Sequence, residues 1–408
     1  MKEKLIALFK TIGPGFIMAS VVLGPGSITV SSRIGQVYGY KLMWIIVLAG
    51  IAMAMYSTMA ARFGVSQEKS MLQVISDNYG RWFAALIGIS CFLMAASFEF
   101  GNNLGVATAM QTITGISEIV WPFLFTGAAI ILIFFAKNLY SILEKLMMVL
   151  VMSMIAAFLA NLIFAKPNLI HAAEGFVPGI PKGSLDDMSA IIATTFCLHA
   201  ALYQAYLVQN KGWKAKDLRT GTRDTIAGTA TLAGISMLII ITSAAALHSK
   251  EGITIATAGD MAVQLEALFG TSAKYVFSLG LWAAAFSSLT VNAVIGGGLL
   301  ADGLGLGRTM QEKWPKIFTI LIMLVGMTIA VFFRGNIVYA LVLAQAATLF
   351  AVPAVAIGLF ITLNNKKIMQ NYANKRMQNY IAGFGFVLIM IVVYFKYHRL
   401  IVDIGKAF

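Results

Sequence analysis

Long apolar runs separated by short polar stretches dominate the pattern of this 408-residue chain. A helix needs about 20 apolar residues to cross the hydrocarbon core of a bilayer. The runs are continuous rather than alternating, which excludes a membrane β-barrel. By this measure the pattern predicts eleven membrane spans, at residues 12–36, 41–62, 82–112, 120–136, 142–164, 188–210, 225–247, 272–302, 316–334, 337–363 and 379–398.

The composition excludes a soluble protein. Hydrophobic residues make up 59% of the chain and charged residues only 12%, whereas soluble domains carry about 25% charged residues. Too little polar sequence exists to enclose the apolar runs in water. We therefore predict an all-α integral membrane protein and not an enzyme. No phosphate-binding loop, dinucleotide fingerprint or zinc-finger spacing occurs in the sequence, so no cofactor is expected.

Basic residues are distributed unevenly along the chain, whose net charge is +13. With the N-terminus placed inside, 20 Lys and Arg residues fall in inner segments and 10 in outer ones. This bias follows the positive-inside rule, so nucleic acid is not needed as a partner to explain the charge. We predict a multi-pass protein of the cell membrane with a cytoplasmic N-terminus and an external C-terminus. The lipid bilayer and a small ion or solute are the expected partners, and the oligomeric state is left open.

Eleven spans can be divided as five, five and one. Many secondary transporters consist of two inverted five-helix repeats whose first helices are broken at the bilayer midplane. Gly-Pro-Gly in span one predicts such a break from Gly24 to Ser27, because proline removes a backbone donor and glycine lets the chain unwind. Span six has no central Gly or Pro, so we expect a shorter break near Thr194 to Leu198. The predicted units are residues 1–170, 171–365 and 366–408.

Glu99 is the only acidic residue centred in a predicted span. Charge inside a membrane is costly and usually functional, so we interpret Glu99 as a proton or cation site, the alternative being a structural protonated carboxyl. His199 in span six belongs to the residue type that titrates near neutral pH. It is a candidate partner of Glu99, and the alternative is a neutral core histidine.

Three further groups of polar residues lie in or beside the spans. Gln345 in span ten could bind a substrate or join helices through its amide. At the start of span seven, Arg223 and Asp224 are expected to form an ion pair. Span eight contains polar residues that we expect to serve packing and hydrogen bonding, namely Ser287, Ser288, Thr290 and Asn292.

The order and spacing of several motifs resemble the NRAMP family of proton-coupled divalent metal transporters, which have the LeuT-like fold. The resemblance runs over nearly the whole chain. It therefore implies a LeuT-like fold with two inverted repeats and an additional eleventh helix. The matching segments are Gly13-Pro14-Gly15, Gly24-Pro25-Gly26-Ser27, Gly39-Tyr40-Lys41-Leu42-Met43-Trp44, Ala60-Ala61-Arg62-Phe63-Gly64-Val65, Arg219 to Asp224, Ser287-Ser288-Leu289-Thr290, and Ala344-Gln345-Ala346-Ala347-Thr348 with Pro353.

The sequence departs from that family where the family binds metal. The family's first-helix signature is Asp-Pro-Gly-Asn, and Gly24 and Ser27 replace its two ligating residues. In the sixth-helix signature, Met-Pro-His, Cys197 stands at the Met position. Thr194 falls where the family offers a backbone carbonyl.

The third helix of the family carries an Asp and a Glu, three residues apart, that act in proton transfer. Glu99 and Asn102 stand at these two positions, while His199 and Gln345 match the family outright. The resemblance implies two sets of functional residues in this chain. They are the substrate-binding set Gly24, Ser27, Thr194, Cys197 and Gln345, and the coupling set Glu99, Asn102 and His199.

A divalent ion that loses its water needs oxygen, nitrogen or thiolate ligands, and usually an anion among them. Gly24 offers no side chain, and Cys197 is an anion only as a thiolate. We therefore expect a secondary transporter that moves a divalent cation by alternating access, with hydrated magnesium favoured over manganese. Candidate metal contacts are Ser27, Thr194 and Cys197. The alternatives are a carrier of a small polar organic solute and a non-transporting sensor built on the same scaffold.

Overall fold

The structure, a computed structural model, describes residues 13–136, 138–248, 258–332 and 352–407. Within these ranges eight helices are long and apolar enough to cross a membrane, and a bent pair of helices forms a ninth span. Two shorter apolar helices, Val120–Phe135 and Val352–Asn364, accompany them. Together they follow the eleven predicted spans in order, although span ten is described only from residue 352.

Helices account for all of the regular structure in the described ranges, and the short ones between spans were not predicted from the sequence. In chain order they are α1 (Pro14–Val22), α2 (Pro25–Tyr38), α3 (Met43–Ser66), α4 (Met71–Tyr79), α5 (Arg81–Thr114), α6 (Val120–Phe135), α7 (Leu139–Ala165), α8 (Leu169–Glu174), α9 (Leu185–Thr195), α10 (Leu198–Asn210), α11 (Leu218–Leu247), α12 (Ala258–Phe269), α13 (Thr271–Leu304), α14 (Lys313–Phe332), α15 (Val352–Asn364), α16 (Lys366–Met369) and α17 (Arg376–Ala407).

Span one is broken, as predicted. Helix α1 ends at Val22, α2 begins at Pro25, and the two axes meet at 62°. Pro25 occupies the first position of α2, where its missing N–H would have had no partner within the helix. The break therefore lies at Leu23 and Gly24, whereas Ser27, which we expected within it, is already helical.

Span six is also interrupted, over the two residues between α9 and α10. Phe196 and Cys197 have ψ angles of 76° and 95°, which do not belong to a helix. The expected short break is thus confirmed without a Gly or Pro to cause it. The ring of Phe196 lies 5.2 Å from that of Tyr56 in α3, so packing against a neighbouring helix accompanies the interruption.

The start of α1 is held by α11. The Asp224 carboxylate accepts hydrogen bonds from the backbone N–H groups of Gly13 (2.8 Å) and Gly15 (2.6 Å). A carboxylate at this place also complements the helix dipole. The expected ion pair between Arg223 and Asp224 is therefore wrong: Asp224 is used as a cap for another helix. Close packing accompanies the cap, since Gly228 of α11 lies directly against the backbone of Gly15.

Helix α13 forms the centre of the protein. In its apolar window 94% of the residues are buried, compared with 22% for α17 at the periphery. Helix α13 packs against α5, α7 and α14 and also reaches α1 and α10. Polar residues of α13 are consequently brought to the level of the two breaks. Helix α17 packs against α3 and α9, and the Tyr56 hydroxyl donates to the Ala382 carbonyl at 3.0 Å.

Glycine packing between α1 and α11 generates a stability prediction. A Cβ atom at Gly228 would overlap the carbonyl group of Gly15, whereas one at Gly234 in the same helix would meet no atom within 4 Å. We expect Gly228→Ala to lower the free energy of unfolding by about 1–3 kcal/mol or more through overpacking. Gly234→Ala should leave it unchanged or raise it by up to about 1 kcal/mol, because alanine favours the helix.

Thermal unfolding of both variants in the same detergent is the measurement. Equal melting temperatures for the two alanine variants would show that α1 does not lie against α11 in this way.

Candidate functional site

The two breaks border one cavity of about 310 Å³. Its wall is formed by α1, α2, α5, α9, α10 and α13, with Phe395 contributed by α17. The structure brings together six of the residues singled out from the sequence, and all six line this cavity: Gly24, Ser27, Asn102, Thr194, Cys197 and His199. Glu99 lies behind the wall, and Gln345 lies outside the described residues.

Ser27 connects the two breaks. Its hydroxyl lies 2.7 Å from the Val22 carbonyl oxygen of span one and 3.5 Å from the Thr194 carbonyl oxygen of span six. The breaks therefore face each other, as the comparison with inverted-repeat transporters predicts. Thr194 places its own hydroxyl 3.3 Å from the Ile191 carbonyl oxygen.

Gly24 stands where a larger side chain would meet polar neighbours. A Cβ atom there would lie 3.1 Å from Asn102 Oδ1 and 3.2 Å from Ser288 Oγ. Asn102 and Ser288 thus occupy the space beside the broken helix. A carboxylate at position 24 would require both of them to move by a few tenths of an ångström.

The carbonyl groups released by the break in span one are not free. Breaking a helix leaves the last carbonyls of its first half without partners inside that helix. The Ser287 hydroxyl has one hydrogen and lies between Ala284 O of its own helix (3.0 Å) and Ser20 O (3.2 Å). Two further hydroxyls donate to the last two carbonyls of α1: Ser288 to Val21 O (2.8 Å) and Ser27 to Val22 O (2.7 Å). These oxygens are therefore already hydrogen-bonded within the protein.

Glu99 is fully buried and bound by amides. Its Oε2 accepts from Asn102 Nδ2 at 2.8 Å and from Asn292 Nδ2 at 3.3 Å. Gly326 of α14 lies against its aliphatic carbons. His199, the candidate partner of Glu99, is connected to it through Asn292.

Asn292 connects three helices and fixes the orientation of His199. Its Nδ2 donates to the Ala95 carbonyl (2.8 Å) and to Glu99, two groups that present oxygen acceptors. Asn292 Oδ1 therefore faces His199 Nε2, at 2.8 Å, and that nitrogen must carry the hydrogen. The other ring nitrogen, Nδ1, lies 3.3 Å from Cys197 Sγ.

Sequence reasoning assigned Ser288 and Asn292 to packing, but both side chains line the cavity. They are four residues apart in α13 and so share one helix face. That spacing was visible in the sequence, although nothing in it showed which neighbour the face would meet. Asp186 and Ser189, in the first turns of α9, were also missed, and they form the outer part of the wall.

The site is poor in groups that could bind a dehydrated metal ion. Among the described residues, no three His, Cys, Asp or Glu side chains come close enough to hold one. The described wall contains one acidic residue, Asp186, and neither Lys nor Arg. Cys197 and His199 are adjacent, while Ser27 and Thr194 contribute only neutral oxygens.

Comparison with known proteins gives a consistent result. Residues 15–397 match the family model of natural resistance-associated macrophage protein-like (Nramp) proteins. The divalent metal cation transporter MntH of Klebsiella pneumoniae subsp. pneumoniae is 25% identical over 386 residues, which cover 94% of this chain and 91% of the relative.

Solved structures show the same fold. A manganese transporter of Eremococcus coleocola superposes with a TM-score of 0.83 at 18% identity, over 97% of this chain and 87% of the other. A Na⁺-coupled sialic acid symporter superposes with a TM-score of 0.64 at 13% identity, over 94% and 89% of the two chains.

The amide contacts of Asn292 generate a prediction about stability. Asn292→Leu leaves one buried donor, His199 Nε2–H, without a partner and removes one of the two amides that bind Glu99. We expect a loss of roughly 1–3 kcal/mol in the free energy of unfolding, the cost of one orphaned buried group. The matched control is Asn161→Leu, because Asn161 is equally buried but bonds only the carbonyl of Ala157 in its own helix.

Denaturation of both variants in one detergent measures the difference. A loss for Asn292→Leu no greater than that for Asn161→Leu would contradict the central position of Asn292.

Proposed function

We propose, from the premise that the chain belongs to the Nramp family of membrane transporters with the LeuT-like fold, that it is a secondary active transporter of a divalent cation. The observation that carries this proposal is the single cavity between the two facing helix breaks. Relatives named for divalent metal and manganese transport support the class of substrate. Transport would proceed by alternating access to this cavity.

The cation proposed is one that keeps its water, such as magnesium. Unpaired charge in a protein interior costs several kcal/mol, and Gly24 provides no anion to offset it. The carbonyls of span one are already bound by hydroxyls. Magnesium loses water reluctantly, and six waters at about 30 Å³ each need about 180 Å³. The cavity of about 310 Å³ accommodates that volume.

The proposed substrate-binding residues act on this hydrated ion through its water. Gly24 leaves the break unobstructed, while Ser27, Thr194 and Cys197 contact the water shell rather than the metal. Gln345 keeps its proposed role from the family resemblance, outside the described residues. Manganese, which gains more from nitrogen and sulfur ligands than magnesium does, would find few of them here.

The proposed orientation has the N-terminus in the cytoplasm and the C-terminus outside, supported by the two-to-one bias of Lys and Arg. The mouth of the cavity at Asp186 then opens outward. On the cytoplasmic side, Asp224 holds the start of α1, and the Tyr206 hydroxyl donates to Asp302 at 2.6 Å. Both contacts would have to open when the cavity turns inward.

The repeats proposed to move against each other are residues 1–170 and 171–365, which we predict to superpose as inverted copies. Residues 366–408 add the eleventh helix. Its Phe395 lies in the cavity wall, so this helix would take part in enclosing the substrate.

Proton coupling is proposed to be weak or absent. Glu99 is the carboxylate available within the described membrane interior, with Asn102 and His199 beside the cavity. The side chains that contact its bonded oxygen are the amides of Asn102 and Asn292, which donate N–H groups but do not readily pass protons on. The other oxygen, Oε1, would carry the proton, and it is buried without a hydrogen-bond partner among the described residues, so no hydrogen-bonded path joins it to the cavity there.

A carrier of a small polar organic solute is the alternative. The observation in its favour is the apolar part of the wall, which includes Val30, Phe98, Phe100 and Phe395. Such a protein would take up no divalent cation.

Titration calorimetry with magnesium, manganese and calcium tests the proposed substrate. We expect magnesium to bind the native protein more tightly than manganese. Cys197→Ala should weaken magnesium binding only slightly, because a thiol is a weak hydrogen-bond acceptor for the water shell. Gly24→Asp combined with Ser27→Asn serves as the positive control, because it supplies the missing carboxylate and should gain manganese binding if Asn102 and Ser288 yield the space.

Micromolar manganese binding by the native protein, lost in Cys197→Ala, would reject the hydrated cation and make the sulfur a ligand. Absence of binding for all three metals would favour the organic solute.

Glu99→Gln tests the coupling proposal. The exchange is nearly isosteric and removes the ionisable group. We expect magnesium uptake into proteoliposomes to respond little to a pH gradient in the native protein and to persist in the variant. Uptake that a pH gradient accelerates in the native protein but not in Glu99→Gln would instead establish Glu99 as the proton carrier.

A further inference from the structure

Helix α10 carries a stripe of wall residues away from the cavity between the two breaks, which we call the central cavity. The stripe runs from His199 through Tyr203 and Leu207 to Asn210, at spacings of three and four residues that keep them on one helix face. His199 lines the central cavity. The other three residues line a second cavity of about 50 Å³, the small cavity, further along the same helix.

Helices α1 and α13 repeat this arrangement. On α1, Val21 lines the central cavity and Ile17, one turn earlier, lines the small cavity. On α13, Ser288 lines the central cavity, and Val291 and Val294 on the same face line the small cavity. The two cavities therefore follow each other along three helices, one helical turn apart.

A third cavity, of about 340 Å³, continues the line, and we call it the inner cavity. It shares Asn210, Arg308 and Thr309 with the small cavity. Its wall also includes Gln67 and Lys214, both polar. Because α10 ends at this level, the inner cavity lies at the cytoplasmic surface in the orientation proposed above.

Tyr203 and Met310 meet at Gly298 of α13 and line the small cavity. A Cβ atom at Gly298 would lie 3.1 Å from Met310 Cε and 3.6 Å from Tyr203 Cε2, so both side chains rest against the backbone of α13. The ring of Tyr203 stacks on that of Tyr206, with centroids 5.2 Å apart. Tyr206 in turn lines the inner cavity. A thioether and two stacked rings therefore stand between the small cavity and the inner one.

Met310 belongs to the loop between α13 and α14, and hydrogen bonds fold this loop into one unit. The N–H groups of Arg308 and Thr309 and the Thr309 hydroxyl donate to Glu312 Oε1 at 2.9 to 3.0 Å. Arg308 Nη1 donates to the Glu68 carbonyl at 3.2 Å, and this contact lies at the exposed surface. The position of Met310 thus follows the position of the whole loop.

We propose that Tyr203 and Met310 form the inner gate of the transport path, and that the loop of residues 305–312 leaves Gly298 when the central cavity opens to the cytoplasm. The inference rests on the proposed transport by alternating access and adds the residues that close the path on one side. Six waters around an ion need about 180 Å³, whereas the small cavity offers about 50 Å³. The path must therefore widen at this level, and until it does an apolar constriction excludes ions.

Thiol labelling of the small cavity tests the gate without any substrate. The reporter is Val294→Cys in a protein with Cys91→Ala and Cys197→Ala, which removes both native thiols. A charged methanethiosulfonate that does not cross the bilayer is added to membrane vesicles from the side of the inner cavity. We expect slow labelling with the gate intact. Met310→Ala should accelerate it by about tenfold or more, because the shortened side chain no longer closes the path.

Met188→Ala is the matched control. Met188 is also half-buried with its sulfur near a hydroxyl, Ser184 Oγ at 3.2 Å, but it lies in α9, on the other side of the break in span six. It should leave the labelling rate unchanged. Tyr203→Leu gives a second reading should Met310→Ala fold poorly, and Leu207→Cys is a second reporter in the same cavity.

Each outcome identifies what has failed. Equal labelling rates in the reporter protein, Met310→Ala and Tyr203→Leu would overturn the gate. Labelling of the reporter as fast as that of the exposed position in Lys214→Cys would overturn it as well. Both results leave the proposed transport standing, because magnesium uptake into proteoliposomes is measured separately with the native cysteines. Faster labelling in Met310→Ala, with no uptake of any divalent cation by the native protein, rejects the proposed function and retains the gate.

Discussion

The structure depends on one constraint: a backbone polar group inside a bilayer must find its partner within the protein. Breaking span one leaves the carbonyls at the end of α1 without partners in that helix. Ser288 of α13 and Ser27 in the first turn of α2 supply hydrogens to the last two of them. These bonds stabilise the break, and the same contacts lie at the centre of the fold and beside the cavity.

Satisfying the backbone in this way determines the chemistry of the cavity. A hydroxyl that gives its hydrogen to a backbone carbonyl does not donate to a substrate, and the carbonyl that accepts it keeps only one of its two lone pairs for another partner. The amides of Asn102 and Asn292 donate to Glu99 in the same way. The carboxyl group of Glu99 therefore lies behind the cavity wall. The proposal of a hydrated cation rests on this arrangement.

Much of the fold could be predicted because an apolar run of sufficient length indicates a membrane span, and Pro25 within such a run indicates a helix break. The positions of Ser27, Thr194 and Cys197 could be expected as well, since they follow from the order of motifs along the chain. Asn292 and the first turns of α9 could not, because their roles depend on which helix faces meet across the protein. The ion pair assigned to Asp224 was wrong for the same reason: its partners, Gly13 and Gly15, are about two hundred residues away in sequence.

Helix α1 has only nine residues, with a carboxylate of α11 at its start and hydroxyls at its end. At 1.5 Å per residue it is about 13 Å long, and in alternating access it would turn about the break at Gly24. A tilt of about 10° over this length would move the far end of α1 by roughly 2 Å. A hydrogen bond does not persist over a displacement of that size. Both bonds to Asp224 would then be lost together rather than stretched.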